Sequence, residues 1–195
     1  MNQGIAGIKT DAQCTRGNAE THRITIRHHY HVECVRAGQV VWTDDYDNLV
    51  VTAGLQKYLD ATLKTGLAAP LWFVGLITGP GSGNTYAAAD TMASHAGWTE
   101  NQAYTNATRP AWTPGSISGG APASVDNSGA KATFVMNASA TIAGCFMTDS
   151  ATKGGTTGTL LGEGNFTSGD RSVLNLDTLN VTVTCTIDAE EATGS

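Results

Sequence analysis

The stretch Leu179-Asn180-Val181-Thr182-Val183-Thr184-Cys185-Thr186-Ile187 decides the fold class. Leu179, Val181, Val183, Cys185 and Ile187 share one parity, and Asn180, Thr182, Thr184 and Thr186 share the other. Side chains alternate across a strand, so this is a strand with one face in a core and one in water. A second stretch repeats the pattern near the start. From Arg23, the residues Ile24, Ile26, His28, Tyr30, Val32 and Cys34 point one way, and Thr25, Arg27, His29, His31 and Glu33 point the other. Ala37-Gly38 is a turn, and Gln39 to Thr43 returns as the second arm of a hairpin.

Between these two strands the pattern is more varied. Asp44, Asp45 and Asp47 read as a polar break, with the run Asn48 to Leu55 leading into a helix whose stripe is Leu55, Tyr58, Leu59, Thr62 and Leu63. Gly66 would stop that helix. Leu71 to Ile77 reads as a buried strand, and Gly79 to Asn84 as an exposed loop. Ala89 to Glu100 reads as a short helix, with Asp90 as N-cap, Gly97 as a left-handed stop and Trp98 as an anchor. A Pro-rich extended region follows, with one short strand around Ser116 to Ser118. Strands are then expected at Lys131–Met136, Ala140–Met147, Thr159–Gly162, Ser172–Leu176 and Leu179–Ile187. Short strands at this spacing indicate a mainly β, jelly-roll-like β-sandwich with one or two short helices. The expected organisation is an extended N-terminal arm over residues 1–21, one sandwich domain over 22–188 and a frayed tail over 189–195.

Composition narrows the function. Of 195 residues only 14% are charged, and Gly, Ala, Thr, Asn and Ser take the place of charge. Such a surface suits packing against other protein. The net charge of −6 argues against a nucleic-acid binder, which needs a basic face. Basic residues and four of the five histidines gather in the first 36 residues, a pattern that can mark an arm for an acidic partner. The four cysteines, at 14, 34, 145 and 185, form no CxxC pair, and Cys34, Cys145 and Cys185 read as buried free thiols. Met1-Asn2-Gln3-Gly4 has neither a basic nor a long apolar signal region, and no apolar run is long enough to span a bilayer. The expectation is a soluble chain in a reducing cytoplasm, with no membrane partner.

Few residues suggest chemistry. His29, His31 and Glu33 share a strand face, and two imidazoles and a carboxylate suit zinc or iron in a cupin-like site. A cupin draws a further histidine from a later strand, and none occurs after His95. A polar solvent or interface face is therefore the preferred reading. His95, near Trp98 and Glu100, has no nucleophile in a recognisable relation to it and reads as a hydrogen-bonded structural histidine. Asp44, Asp45 and Asp47 lack the spacing of a calcium loop. Gly79 to Thr85 lacks the Gly-Lys-Ser/Thr of a phosphate loop, and the serines in Gly-rich stretches do not form a nucleophile elbow. The expectation is no catalytic residue, no cofactor and no metal.

Three stretches carry a resemblance. These are Asn48 to Leu55, Ala89 to Glu100, and the Gly-rich run from Ala143-Gly144 through Lys153-Gly154-Gly155 to Gly158-Thr159-Leu160-Leu161. Together they resemble virion structural proteins of tailed bacteriophages. The resemblance runs from Asp47 to Asp188, with Asp90 to Glu100 its most specific part, and leaves the first 46 residues uncovered. It implies a head decoration (cement) protein, without catalytic residues, that binds the major capsid protein as a homo-oligomer (dimer or trimer) on the capsid surface. A tail-associated or glycan-binding virion protein, the latter using aromatics such as Trp98 and Trp112, is the alternative, and the cupin-like metal protein is a second.

Overall fold

The computed structural model describes residues 23–66, 68–120 and 122–190, so the expected N-terminal arm, Cys14 and the last five residues lie outside it. Two antiparallel sheets pack face to face as a β-sandwich. The two stretches that alternate most cleanly are neighbours in the first sheet. β1 (Arg23–Arg36) pairs with β12 (Thr178–Glu190) from Arg23↔Glu190 to Val35↔Thr178. Tyr30, Val32 and Cys34 thus lie opposite Val183, Val181 and Leu179, and all six are fully buried. At about 1.5–3 kcal/mol for each large apolar side chain buried, this face is the main stabilising surface of the sheet. β2 (Gln39–Asp47) returns from the Ala37-Gly38 turn, whose two positive φ values of 48° and 80° suit the twist of a two-residue hairpin. β7 (Ala123–Asp126) and β8 (Ala132–Val135) both pair with β12.

The second sheet runs in the order β3 (Leu49–Val50), β10 (Leu160–Asn165), β9 (Ala140–Thr148), β4 (Trp72–Thr78) and β5 (Glu100–Asn101). β6 (Ala111–Trp112) also pairs with β4, and β11 (Arg171–Val173) with β9. Among the described residues the sheets hold five and seven strands. Both faces of the second sheet are covered. Val74, Leu76, Ile142, Cys145 and Met147 face the first sheet. Ile77, Ala143, Phe146 and Leu160 face outward into a second cluster closed by Met92, Trp98 and Val51. A strand buried on both faces shows no alternation, and β9 is accordingly a near-continuous apolar run.

Several expectations are corrected. Ala89 to Glu100 is a loop, not a helix. Thr91 and Ser94 close a tight turn on each other, and the Gly97 backbone lies so close to Thr85 that a Cβ would sit 2.1 Å from its carbonyl oxygen. Gly97 therefore serves close approach, and Asp90 accepts from the Ala87 N–H instead of capping a helix. Residues 116–118 are not a strand; Ser118 and Ser124 pair across a turn instead. Asp44 to Asp47 is not a break but the end of β2. Finally, the helix α1 (Thr52–Leu63) turns most of its expected stripe outward. Gly54 is its one fully buried residue, pressed onto the Leu161 carbonyl, where a Cβ would stand 2.3 Å away. Lys64 is already extended and Gly66 takes a left-handed φ of 82°. The strand expected over Leu179–Ile187 runs from Thr178 to Glu190, past the expected domain bound at 188. Of the strand expected over Ser172–Leu176 only Ser172 and Val173 are strand, within β11, and Asn175 and Leu176 form a turn. The other expected strands and the hairpin are present within a few residues of their expected bounds. Among the described residues no helix is long and apolar enough to cross a membrane.

Candidate functional site

The sequence-predicted cluster on the outer face of the first sheet is a ladder of histidine–carboxylate contacts. His29 and His31 lie opposite Asp47 and Asp45 on β2. His29 Nδ1 is 2.9 Å from Asp47 and its Nε2 is 3.4 Å from Asp45. His31 Nδ1 is 2.8 Å from Asp45 and its Nε2 is 3.5 Å from Glu33. Lys131 Nζ donates to Glu33 at 2.7 Å and holds that carboxyl below its usual pKa, as His31 does for Asp45. Each imidazole nitrogen thus has a carboxylate neighbour on the same face. Among the described residues no three His, Cys, Asp or Glu side chains are placed to hold a metal ion.

Asp44 points the opposite way from Asp45. It is buried and accepts from the N–H groups of Thr167 and Ser168 and from the Arg171 guanidinium at 3.0 and 3.3 Å. It ties the loop before β11 to the first sheet, in place of the solvated turn expected.

The loop over the second sheet holds the most perturbed carboxyl. Glu163, on β10 opposite Phe146, is fully buried. Its Oε2 accepts the Trp98 indole N–H at 2.6 Å, and its Oε1 is buried with no hydrogen-bond partner. Burial, with Asp90 nearby, pushes its pKa up to about 8. His95 stacks on Trp98 at 3.9 Å between ring centroids, with its Nδ1 3.2 Å from the Trp98 carbonyl oxygen. Beside it, Arg109 is buried, forms a two-point pair with Glu100 at 2.7 and 2.9 Å, donates to the Ser150 and Gly155 carbonyls, and lies 5.1 Å over the Phe146 ring. A carboxyl held neutral against a tryptophan can serve as a general acid. Glu163, however, does not line the neighbouring cleft of about 200 Å³, whose walls include His95, Trp98, Glu100 and Gln102. Trp98 is itself buried, so it is not the exposed sugar-stacking ring that a glycan site needs. Glu163 and Arg109 were not singled out from the sequence. The signal for Glu163 was a lone carboxylate within Leu160-Leu161-Gly162-Glu163-Gly164.

No protein-family model matches the chain, and no curated protein matches it.

A further open site is a groove of about 280 Å³ towards the end of β12. Its walls include Tyr58, Trp72, Trp112, Ile117, Cys185 and Ile187. The Trp112 indole N–H donates to the Val183 carbonyl at 3.0 Å, and the Tyr58 hydroxyl is 2.7 Å from His28 Nε2. The polar tips are thus satisfied inside the fold, and the groove presents rings and alkyl groups. Burial pushes the Cys185 thiol up to about 12, which leaves it a poor nucleophile. This arrangement can bury apolar groups.

Proposed function

We propose that the chain is a non-enzymatic structural component of a tailed-phage particle, decorating and stabilising the head by binding the major capsid protein. One observation carries the structural part of this reading. Large apolar side chains stand uncovered on the described chain, Ile24, Leu55, Leu59, Leu63, Leu71 and Ile117 among them. Exposed apolar surface of this kind suits a place where other protein packs. The buried ionisable groups support it in a second way. Arg109, Asp44 and Asp177 are engaged in pairs that fasten loops to the sheets, and Glu163 is sealed from the cleft beside it. The phage assignment comes from the resemblance centred on Asp90 to Glu100, and the capsid surface is the location it implies. Purified protein is expected to sediment with undecorated heads and to leave free capsid subunits alone. Protein that stays in the supernatant at micromolar concentration would count against a head protein, and negative-stain labelling along the tail would move the role there.

A further inference from the structure

We infer that the loop from Asn84 to Thr99 is latched over the second sheet by one proton shared between the carboxyl groups of Glu163 and Asp90, and that the latch loosens as this proton is lost. The latch is independent of the assembly role proposed above.

The loop has a narrow neck. The Thr85 N–H donates to the Gly97 carbonyl at 3.2 Å, and the Gly97 backbone lies against Thr85. Beyond the neck, Met92 and Trp98 are buried with Ile77, Phe146 and Leu160 of the sheet. The Ala88 carbonyl accepts from the Thr52 N–H at 2.8 Å, and the Tyr86 hydroxyl bonds to Asn165. The remaining ties run to Glu163, from the Trp98 indole and from Asp90.

Glu163 needs a proton because of what surrounds it. Its Oε2 is filled by the Trp98 N–H, and no donor reaches the buried Oε1. An ionised carboxylate there would hold charge unanswered in an apolar site, a cost that the protonated acid avoids. Asp90 meets this carboxyl as a hydrogen-bond partner. Ionised carboxylates only accept, so a bond between the two requires a proton on one of them. Asp90 suits the charge, being half-buried and accepting the Ala87 N–H at 3.1 Å. Glu163 is fully buried and suits the proton, and Oε1 is its one oxygen without a donor. A proton there satisfies the orphaned atom and ties the loop to β10. Burial first, and then Asp90, push the Glu163 pKa up to about 8.

No cation takes the proton's place. Among the described residues no Lys, Arg or His pairs with Glu163. β9 sets Phe146 opposite it, and β3 sets Leu49. Arg109 lies over the Phe146 ring but is committed to Glu100 and to the Ser150 and Gly155 carbonyls. His95 stacks on the Trp98 ring, its Nδ1 at the Trp98 carbonyl. On α1, Lys57 pairs with Asp149 and Lys64 with Asp60. Burial pushes the Tyr86 hydroxyl up to about 12, so it stays neutral while Glu163 titrates.

The closed loop keeps the proton up to about pH 8, whereas an open loop lets Glu163 meet water and regain its ordinary 4.5. Opening therefore becomes about tenfold easier for each pH unit between 4.5 and 8. It levels off above 8, where both forms are ionised.

The test is hydrogen exchange at residues 84–99 of the full chain, with each rate divided by the intrinsic rate at the same pH. Wild-type protection of the loop is expected to fall about 300-fold between pH 5.5 and 8.5. α1 is expected to show no such fall, since its opening leaves Glu163 buried. Glu163→Gln keeps an acceptor for Trp98 and a donor for Asp90, and its loop protection is expected to stay constant over that range. Asp90→Asn keeps an acceptor for the Ala87 N–H and removes the charge, and is expected to cut the wild-type fall by about tenfold. An infrared spectrum at pH 6 is expected to show a carboxylic-acid C=O stretch that Glu163→Gln removes. Loop protection that ignores pH overturns the inference, and so does a wild type without that acid band. An Asp90→Asn variant that falls as far as wild type overturns it too, because burial alone would then hold the proton. A loop that exchanges as slowly as β9 would open only with the whole sandwich and would be no latch.

Discussion

Glu163 is the carboxyl whose ionisation the fold opposes most. Its carboxyl titrates near 8 in the folded chain, against an ordinary 4.5. Below pH 4.5 both states hold the proton. Between 4.5 and 8 the unfolded chain releases it and the folded chain keeps it, so stability falls as pH rises through that window. The full loss is on the order of 5 kcal/mol at about 1.4 kcal/mol per pKa unit. Glu163→Gln keeps an acceptor for Trp98 and removes the titration. It is expected to melt close to wild type at pH 4.5 and several degrees higher at pH 8.5. A variant that melts lower at both pH values would show that the carboxyl has a partner its geometry hides. His28 is the opposite case. Burial lowers its pKa from 6.5 to about 4, its Nδ1 is buried with no partner, and Nε2 has only the Tyr58 hydroxyl. Stability is then lost as pH falls from 6.5 towards 4, where the unfolded chain takes up a proton that the fold refuses. Tyr58→Phe leaves both ring nitrogens without a partner and should cost about 1–3 kcal/mol at pH 7, read as a shift of the urea midpoint. An unmoved midpoint would mean that water replaces the hydroxyl.

At the scale of elements, the loop from Asn84 to Thr99 is the clasp of the second sheet. Gly97 brings its backbone onto Thr85, and Trp98 drops beside Phe146, 4.8 Å between ring centroids, to reach Glu163. Gly75 makes room for this, since a Cβ there would stand 2.2 Å from the Phe146 ring. Trp98→Ala should destabilise by about 3 kcal/mol or more, the usual cost of truncating a buried large aromatic. Trp98→Phe should fall between, keeping ring contact but losing the donor. Chemical denaturation measures both, and an unchanged transition for the alanine variant would show the clasp to be ornamental. This element also marks where the sequence could be read and where it could not. β1 and β12 were legible because their outer faces meet water, which forces the alternation at Thr25 to Glu33 and Asn180 to Thr186. β9 carries no such imprint, because sheet covers one side and the clasp the other. The clasp was misread as a helix because its geometry is set by Thr85, which propensity at Asp90 and Gly97 does not encode. Asp44 was misread for a similar reason. Its partner Arg171 is 127 residues away in sequence, and three neighbouring aspartates look alike until the strand sends Asp44 inward and Asp45 outward. Of the candidate sites, the shared face of His29, His31 and Glu33 was legible from parity, but its partners Asp45 and Asp47 were not, because they read as a polar break and not as the end of β2. The aromatic groove was not, because Tyr58, Trp72, Trp112 and Cys185 meet only when α1 and both sheets are assembled.

The whole molecule is built around one layer. The second sheet is enclosed by the first sheet on one side and by Met92, Trp98 and Val51 on the other, whereas α1 rests on that layer chiefly through Gly54 and the Val51 N–H bond to the Leu161 carbonyl at 3.2 Å, and meets the first sheet through Tyr58, whose hydroxyl is 2.7 Å from His28. Local opening follows buried apolar contact. Releasing β9 would disrupt both clusters at once, so its amides from Ile142 to Met147 have no route to exchange short of global unfolding. Releasing α1 exposes little that is not already exposed, so its amides can open with the sandwich intact. Hydrogen exchange read by mass spectrometry should therefore rank β9 and the centre of β12 as the slowest segments and α1 among the fastest. Equal protection of α1 and β9 would break the link drawn here between the helix's exposed leucines and its loose hold on the sandwich.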